Sequence, residues 1–433
     1  MKTPVSKRNI SVKSKLILSL LLANIALFPW SAEGAASDPF TLPRAVPESE
    51  GVDSQGILNF LDAIEGSQHE FHSLFIVRHG KVISEGWWNP YRPDLKHMMY
   101  SVSKSFTSTA VGFAVSEKRL QVRDKVVTFF PEYEAPADNP FWQELTVKHL
   151  LTMSVGQEPD PSGRIWGEED WAKAFFQTPI VKKPGSTFLY NSMATYMLSA
   201  IVTRVTGQKL IDYLRPRLFE PLGITDIDWE TGPNGNNTGG WGLRIRTEGM
   251  ARFGLLLLQK GMWNGKQILP AEWVEEATKL QILQNPGASD EERNKSDWLQ
   301  GYGYKFWRCK NGGFRADGAY GQYIIVMPEQ DAVIAITSLT PNMQGVLDLV
   351  WEHLLPAMSD TELPANESAA ADLQNRLKDL ALPVPAAGVA SPLEKTVSGK
   401  DYVMEENPTG LESVLFRFQE GKCELTQENA DAP

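Results

Sequence analysis

The sequence predicts an α/β fold: an antiparallel sheet flanked by helices, with a helical insert and a short C-terminal appendage. Three observations predict it. Residues 73–86 read as a hairpin, with the apolar strand Leu74-Phe75-Ile76-Val77, the turn His79-Gly80-Lys81 and a return strand over 82–86. Two further strand candidates, 320–327 and 332–337, lie far along the chain around the turn Pro328-Glu329-Gln330-Asp331. The intervening region is helical and rich in loops. Pairing the late strands with the early hairpin closes one sheet and leaves the helices as an insert beside it, with a cleft between.

The elements follow from periodicity. Val52, Ile57, Leu58, Phe60, Leu61 and Ile64 recur at helical spacing over 51–65. A long helix over 103–118 carries Phe106, Ala110, Val111 and Phe113. Its core is apolar nearly all round, which predicts burial. Residues 146–151 start a helix with Thr146 as a weak cap. A helix over 193–205 ends near Gly207, another covers 250–258, and 346–355 closes the region as a helix.

The two ends of the chain read differently. Lys2, Lys7, Arg8, Lys13 and Lys15 precede an apolar run over 16–28, and Gly34-Ala35-Ala36 follows. This is the layout of a secretory signal peptide over 1–36, cleaved after Ala36, and it predicts a periplasmic or secreted protein, with an uncleaved N-terminal anchor as the alternative. The main domain then covers 37–358. Residues 359–397 read as an Ala/Pro-rich linker, and 398–433 as a short β-rich segment too small for a core of its own.

The formal net charge of −11 over 433 residues argues against nucleic acid or an anionic membrane as partner. After removal of the signal segment no membrane span is expected. Cys309 and Cys423 could form one disulfide in an exported chain. The six histidines are scattered, so neither a metal nor another cofactor is expected. Oligomeric state is not legible.

The chemistry is carried by Ser101-Val102-Ser103-Lys104. A serine three residues before a lysine at a helix start places hydroxyl and amine on one face. A lysine desolvated there loses its proton near neutral pH and can take that of the serine. Tyr190-Asn191-Ser192 follows Pro184-Gly185 at a loop-to-helix junction. Tyr190 can relay a proton, and Asn191 and Ser192 can contact the lysine or the substrate. Ala316-Asp317-Gly318-Ala319 opens the late strand, where the glycine lets a substrate backbone approach. The N–H groups of Ser101 and Ala319 can form an oxyanion hole. Gly239-Gly240-Trp241-Gly242 reads as close packing of a loop against a helix.

Together these motifs resemble the class C β-lactamase-like serine hydrolases: penicillin-binding proteins of DD-peptidase type, family VIII carboxylesterases and 6-aminohexanoate-dimer hydrolases. The resemblance covers roughly Pro47 to Leu355. Ser101-Val102-Ser103-Lys104 matches the first motif fully and Tyr190 the tyrosine of the second, whose Tyr-x-Asn pattern here has Ser192 in the amide position. The third motif, Lys or His-Thr-Gly, survives only as Gly318. The resemblance implies a β-lactamase/transpeptidase-like fold and a Ser-Lys-Tyr acyl-enzyme mechanism on a small-molecule or peptide-like substrate. Ala316 cannot attract a substrate carboxylate and Asp317 would repel it, so ester or amide hydrolysis is expected over β-lactam hydrolysis. The Tyr100–Thr107 segment and Gly321-Gln322 look like the 6-aminohexanoate-dimer hydrolase type. The competing readings are a catalytically weak or inactive penicillin-binding-like ligand-binding protein, and a DD-peptidase or β-lactamase.

Overall fold

The computed structural model describes residues 40–429 except 135, 137, 384–389, 408, 409 and 420. The signal segment expected over 1–36 lies outside the described residues. Residues 42–433 form one compact unit.

Six antiparallel strands build the central sheet: β1 (Glu70–Arg78), β2 (Lys81–Trp87), β3 (Trp307–Arg308), β4 (Phe314–Gly318), β5 (Gln322–Met327) and β6 (Ala332–Leu339), in the order β2-β1-β6-β5-β4-β3. The early hairpin and the late strands thus join, with Ile76 opposite Ile334. Side chains alternate between two cores, as strand period requires. Phe75 and Val77 enter one core with Ile324 and Val333, whereas Leu74 and Ile76 enter the other with Tyr323 and Ile334.

Helix α1 (Ser54–Glu65) starts at Asp53, whose Oδ1 accepts the Gln55 N–H at 3.0 Å. It buries Ile57, Phe60, Leu61 and Ile64 in the second core. On the other face lie α2 (Ser103–Ser116), α3 (Val147–Leu151), α4 (Ser192–Thr206) and α5 (Thr247–Leu258), which fill the first core. Every residue of α2 from Ser103 to Ala114 is buried. Burying a large apolar side chain contributes roughly 1.5–3 kcal/mol, so the many apolar residues around α2 hold it firmly in place.

The structure differs from the expectation of a linker over 359–397. Residues Glu367–Lys378 form a helix, α6, capped by Asn366 Oδ1 accepting the Ala369 N–H at 3.2 Å. Ala369 and Leu373 are buried, and Arg376 pairs with Asp62 and Glu65 of α1. Beyond it, β7 (Asp401–Val403), β8 (Leu411–Gln419) and β9 (Lys422–Asn429) form a separate antiparallel sheet. Cys309 is buried, Cys423 is exposed on β9, and both are free thiols, so the disulfide considered from sequence is not formed. No described helix is long and apolar enough to cross a membrane.

Candidate active site

Ser101 sits in the 3-10 turn Tyr100–Val102 that runs into α2. The Met99 N–H donates to the Leu243 carbonyl at 2.9 Å, which fixes the entry to the turn. Tyr100 has φ +44°, a left-handed conformation that costs a tyrosine roughly 1–2 kcal/mol. Its ring meets that of Tyr320 edge-on at 5.4 Å.

One helical turn on, Lys104 Nζ lies 2.8 Å from Ser101 Oγ and donates to the Gly240 carbonyl at 2.7 Å. The lysine is 2 % exposed. Burial brings its amine down to about 7, against a smaller upward pull from Asp160 and Asp317. A neutral amine donating one N–H hydrogen bond to the Gly240 carbonyl still has a lone pair available for the Ser101 proton.

The glycine loop read as packing therefore also holds the lysine. Thr107 Oγ1 donates to the Gly239 carbonyl at 2.7 Å, and Gly239 has φ +67°. A Cβ there would stand 2.9 Å from Ser199 Cβ and 3.1 Å from the Thr195 carbonyl. Glycine pairs are common in loops, so nothing in the pattern singled out these two carbonyls.

Tyr190 comes to the same place. Its ring centroid is 4.9 Å from Lys104 Nζ. Burial pushes the phenol up, so it stays protonated at neutral pH, with the nearby Ser101 side chain working against the shift. Trp307 stacks on the ring at 5.7 Å and Tyr302 meets it edge-on at 6.4 Å.

Asn191 serves the fold. It is buried and caps α4, with Oδ1 accepting the Ala194 N–H at 2.9 Å and Nδ2 donating to Gln157 Oε1 at 2.9 Å. Each end of its amide makes one hydrogen bond inside the protein. Ser192, half-buried, is the first residue of α4 and lies on the lysine's side. A Cβ built on Gly240 would stand 3.1 Å from the Ser192 carbonyl and 3.6 Å from Lys104 Nζ.

The expected charge of Asp317 is also corrected. Asp317 is opposite Tyr323 on β5, and Arg315, two residues earlier on the same face, donates from Nε to Asp317 Oδ2 at 3.0 Å. The guanidinium is fully buried and also donates to the Arg308 and Asp297 carbonyls. Burial pushes Asp317 up to about 6, with Arg315 working against it. The carboxylate is thus paired inside the protein instead of being presented to a ligand. Sequence reasoning missed Arg315 because residues 316–319 read as the opening of the late strand and not as part of a strand of their own; period-two spacing of Arg315 and Asp317 is the available signal.

Gly318 is required by the protein itself. A Cβ there would lie 2.5 Å from the Met99 carbonyl, so the end of β4 presses directly on the turn that carries Ser101. Ala319 follows in the three-residue turn 319–321 that leads into β5, with Tyr320 at φ +65° and Gly321 at φ +92°. This puts Ser101, Lys104, Tyr190 and the β4 end around one point.

The beta-lactamase family profile matches residues 68–350. The 6-aminohexanoate-dimer hydrolase of Paenarthrobacter ureafaciens is 26% identical over 291 residues, 62% of this chain and 73% of that protein. The lovastatin esterase of Penicillium rubens is 33% identical over a shorter 113 residues, 23% of this chain and 28% of that protein. Among solved structures, a candidate 6-aminohexanoate-dimer hydrolase from Bacillus anthracis superposes with a TM-score of 0.60 at 22% identity, covering 75% of this chain and 89% of that one. The family match spans the whole central sheet and helices α2 to α5, and the relatives are hydrolases: the chain belongs to the beta-lactamase family of serine hydrolases.

Proposed function

We propose that this is an exported hydrolase that cleaves esters or linear amides through a Ser-Lys-Tyr acyl-enzyme cycle. The observation that carries the reading is the buried Lys104 amine, brought to about 7 and set 2.8 Å from Ser101 Oγ. Ser101 Oγ attacks the substrate carbonyl while Lys104 takes its proton. The N–H groups of Ser101 and Ala319 hold the oxyanion. Tyr190, protonated at neutral pH, gives a proton to the leaving group and is recharged from Lys104. Water then attacks the acyl-serine by the reverse route. The cycle requires no metal or cofactor.

The choice of substrate class rests on charge. Ala316 offers no cation, and Arg315 is fully buried, with Nε on Asp317 and Nη1 on backbone carbonyls. A substrate carboxylate therefore finds no partner at the end of β4, which disfavours β-lactams and peptides ending in D-alanine. Relatives named for a linear amide and for an ester point the same way. The basic and apolar N-terminus supports export to the periplasm or beyond.

A kcat/KM series tests this on a short-chain ester, a linear amide and a β-lactam, all at neutral pH. The expected order has the ester or amide at least about a hundredfold above the β-lactam, as the loss of one charge-assisted contact of about 3 kcal/mol implies. A β-lactam turned over as fast as the best ester would overturn the assignment. Failure on every substrate by folded protein would favour the ligand-binding reading.

A further inference from the structure

Lys305 is a second lysine that the protein interior encloses, 2 % exposed. It stands outside the regular elements, at φ +67°, where a side chain is rarely tolerated. Both of its ends are engaged. Its carbonyl accepts the hydroxyl of Ser105, the residue after Lys104, at 2.7 Å. Its Nζ donates to the Leu150 carbonyl at the end of α3 at 2.6 Å and contacts Met153 Sδ at 3.1 Å. Burial, with Lys104 nearby, pushes its amine well below the ordinary lysine value.

Met153 in turn grips the chain on both sides of Tyr190. Its carbonyl accepts the Leu189 N–H at 2.8 Å, and its sulfur accepts the Asn191 N–H at 3.3 Å. Met153 is itself at φ +56° and fully buried. Two left-handed, non-glycine residues touching each other beside a reactive centre are strain that the surroundings must hold in place. A sulfur is a weak acceptor, so its direction is set by the lysine that binds it and by the packing of Phe188, Tyr190, Tyr302 and Trp307 around it.

We infer that Lys305, acting through Met153, is a positioning residue that sets Tyr190 against the Ser101–Lys104 pair. One residue joins the helix that carries the base to the loop that carries the acid. The inference rests on the role proposed above for Tyr190 as the proton donor to the leaving group. A displaced Tyr190 leaves attack by Ser101 available but hinders expulsion of a basic leaving group. A p-nitrophenolate leaves without a proton; an alkoxide or an amine does not.

The test is the leaving-group dependence of kcat/KM. Wild type, Lys305→Met, Met153→Leu and Tyr190→Phe are assayed on a p-nitrophenyl ester and on an alkyl ester or anilide with the same acyl group. Lys305→Met removes the Nζ contacts to the Leu150 carbonyl and to Met153 Sδ, and Met153→Leu removes the sulfur contacts to Lys305 and to the Asn191 N–H, each leaving an apolar side chain of similar size. Fluorophosphonate labelling of Ser101 checks that each variant is folded. Lys305→Met is expected to lose at least tenfold more on the poor leaving group than on the p-nitrophenyl ester, with the loss in kcat and not in KM. Met153→Leu is expected to show the same bias and carries the test if Lys305→Met does not fold. Equal losses on both substrates in both variants, with the bias present in Tyr190→Phe, would overturn the inference. No bias in Tyr190→Phe would instead overturn the role given to the tyrosine.

Discussion

The Gly240 carbonyl and Lys104 Nζ stand 2.7 Å apart, and the same amine lies 2.8 Å from Ser101 Oγ. This contact fixes how the lysine can act. One N–H is spent on a main-chain acceptor, which leaves the lone pair of the neutral amine available to the serine hydroxyl. The loop 239–242 therefore belongs to the chemistry as well as to the packing.

The first prediction concerns pH. Lys104 must be neutral to accept the Ser101 proton, and its amine is brought to about 7. The kcat/KM of an uncharged ester should rise with pH and level off above an inflection near 7. An inflection near 10, the ordinary lysine value, would show that the amine is not desolvated in solution.

The same burial carries a stability cost. The amine titrates lower in the folded than in the unfolded chain, so unfolding takes up protons between about pH 7 and 10. The cost is largest below pH 7 and vanishes as pH rises towards 10. Lys104→Met should therefore be inactive yet more stable than wild type by about 1–3 kcal/mol at pH 6, with the gain shrinking by pH 9.5. Denaturant unfolding at the two pH values measures it; a gain independent of pH would contradict the account.

Arg315 and Asp317 should behave as a unit. Arg315→Met leaves a buried carboxylate without its partner and should cost about 3–5 kcal/mol at pH 7. Adding Asp317→Asn should recover more than half of the loss. Additive effects in urea unfolding would mean the two side chains are not coupled.

Asn191 separates capping from substrate contact. Asn191→Ala should lower stability by about 1 kcal/mol, since the α4 cap is lost, and leave KM within about threefold. A tenfold rise in KM with unchanged unfolding would make Asn191 a substrate ligand instead.

Much of this was legible in the sequence. The alternation of Leu74, Phe75, Ile76 and Val77 between two cores and the all-round apolar character of α2 are signals that burial writes directly into composition. Ser101, Lys104 and Tyr190 were found through motif spacing, and the structure brings them together. What escaped was set by tertiary contacts. Helix α6 buries only Ala369 and Leu373, too few to show a period in an Ala-rich stretch. Strand β4 carries a buried ion pair, which reads as polar turn. Asn191 has the spacing of a helix cap as well as that of a catalytic motif, and the two cannot be told apart without the Ala194 N–H in view. Lys305 occupies a loop in a left-handed conformation, and no periodicity marks a lysine as buried.

The central claim is that Ser101 is the nucleophile, and intact mass measured after treatment with a fluorophosphonate tests it most directly. The account predicts a single adduct on the wild-type protein, mapped to Ser101, formed faster above pH 7 than below it, and none on Ser101→Ala. An adduct that persists on Ser101→Ala, or a folded wild type that never labels, would contradict it.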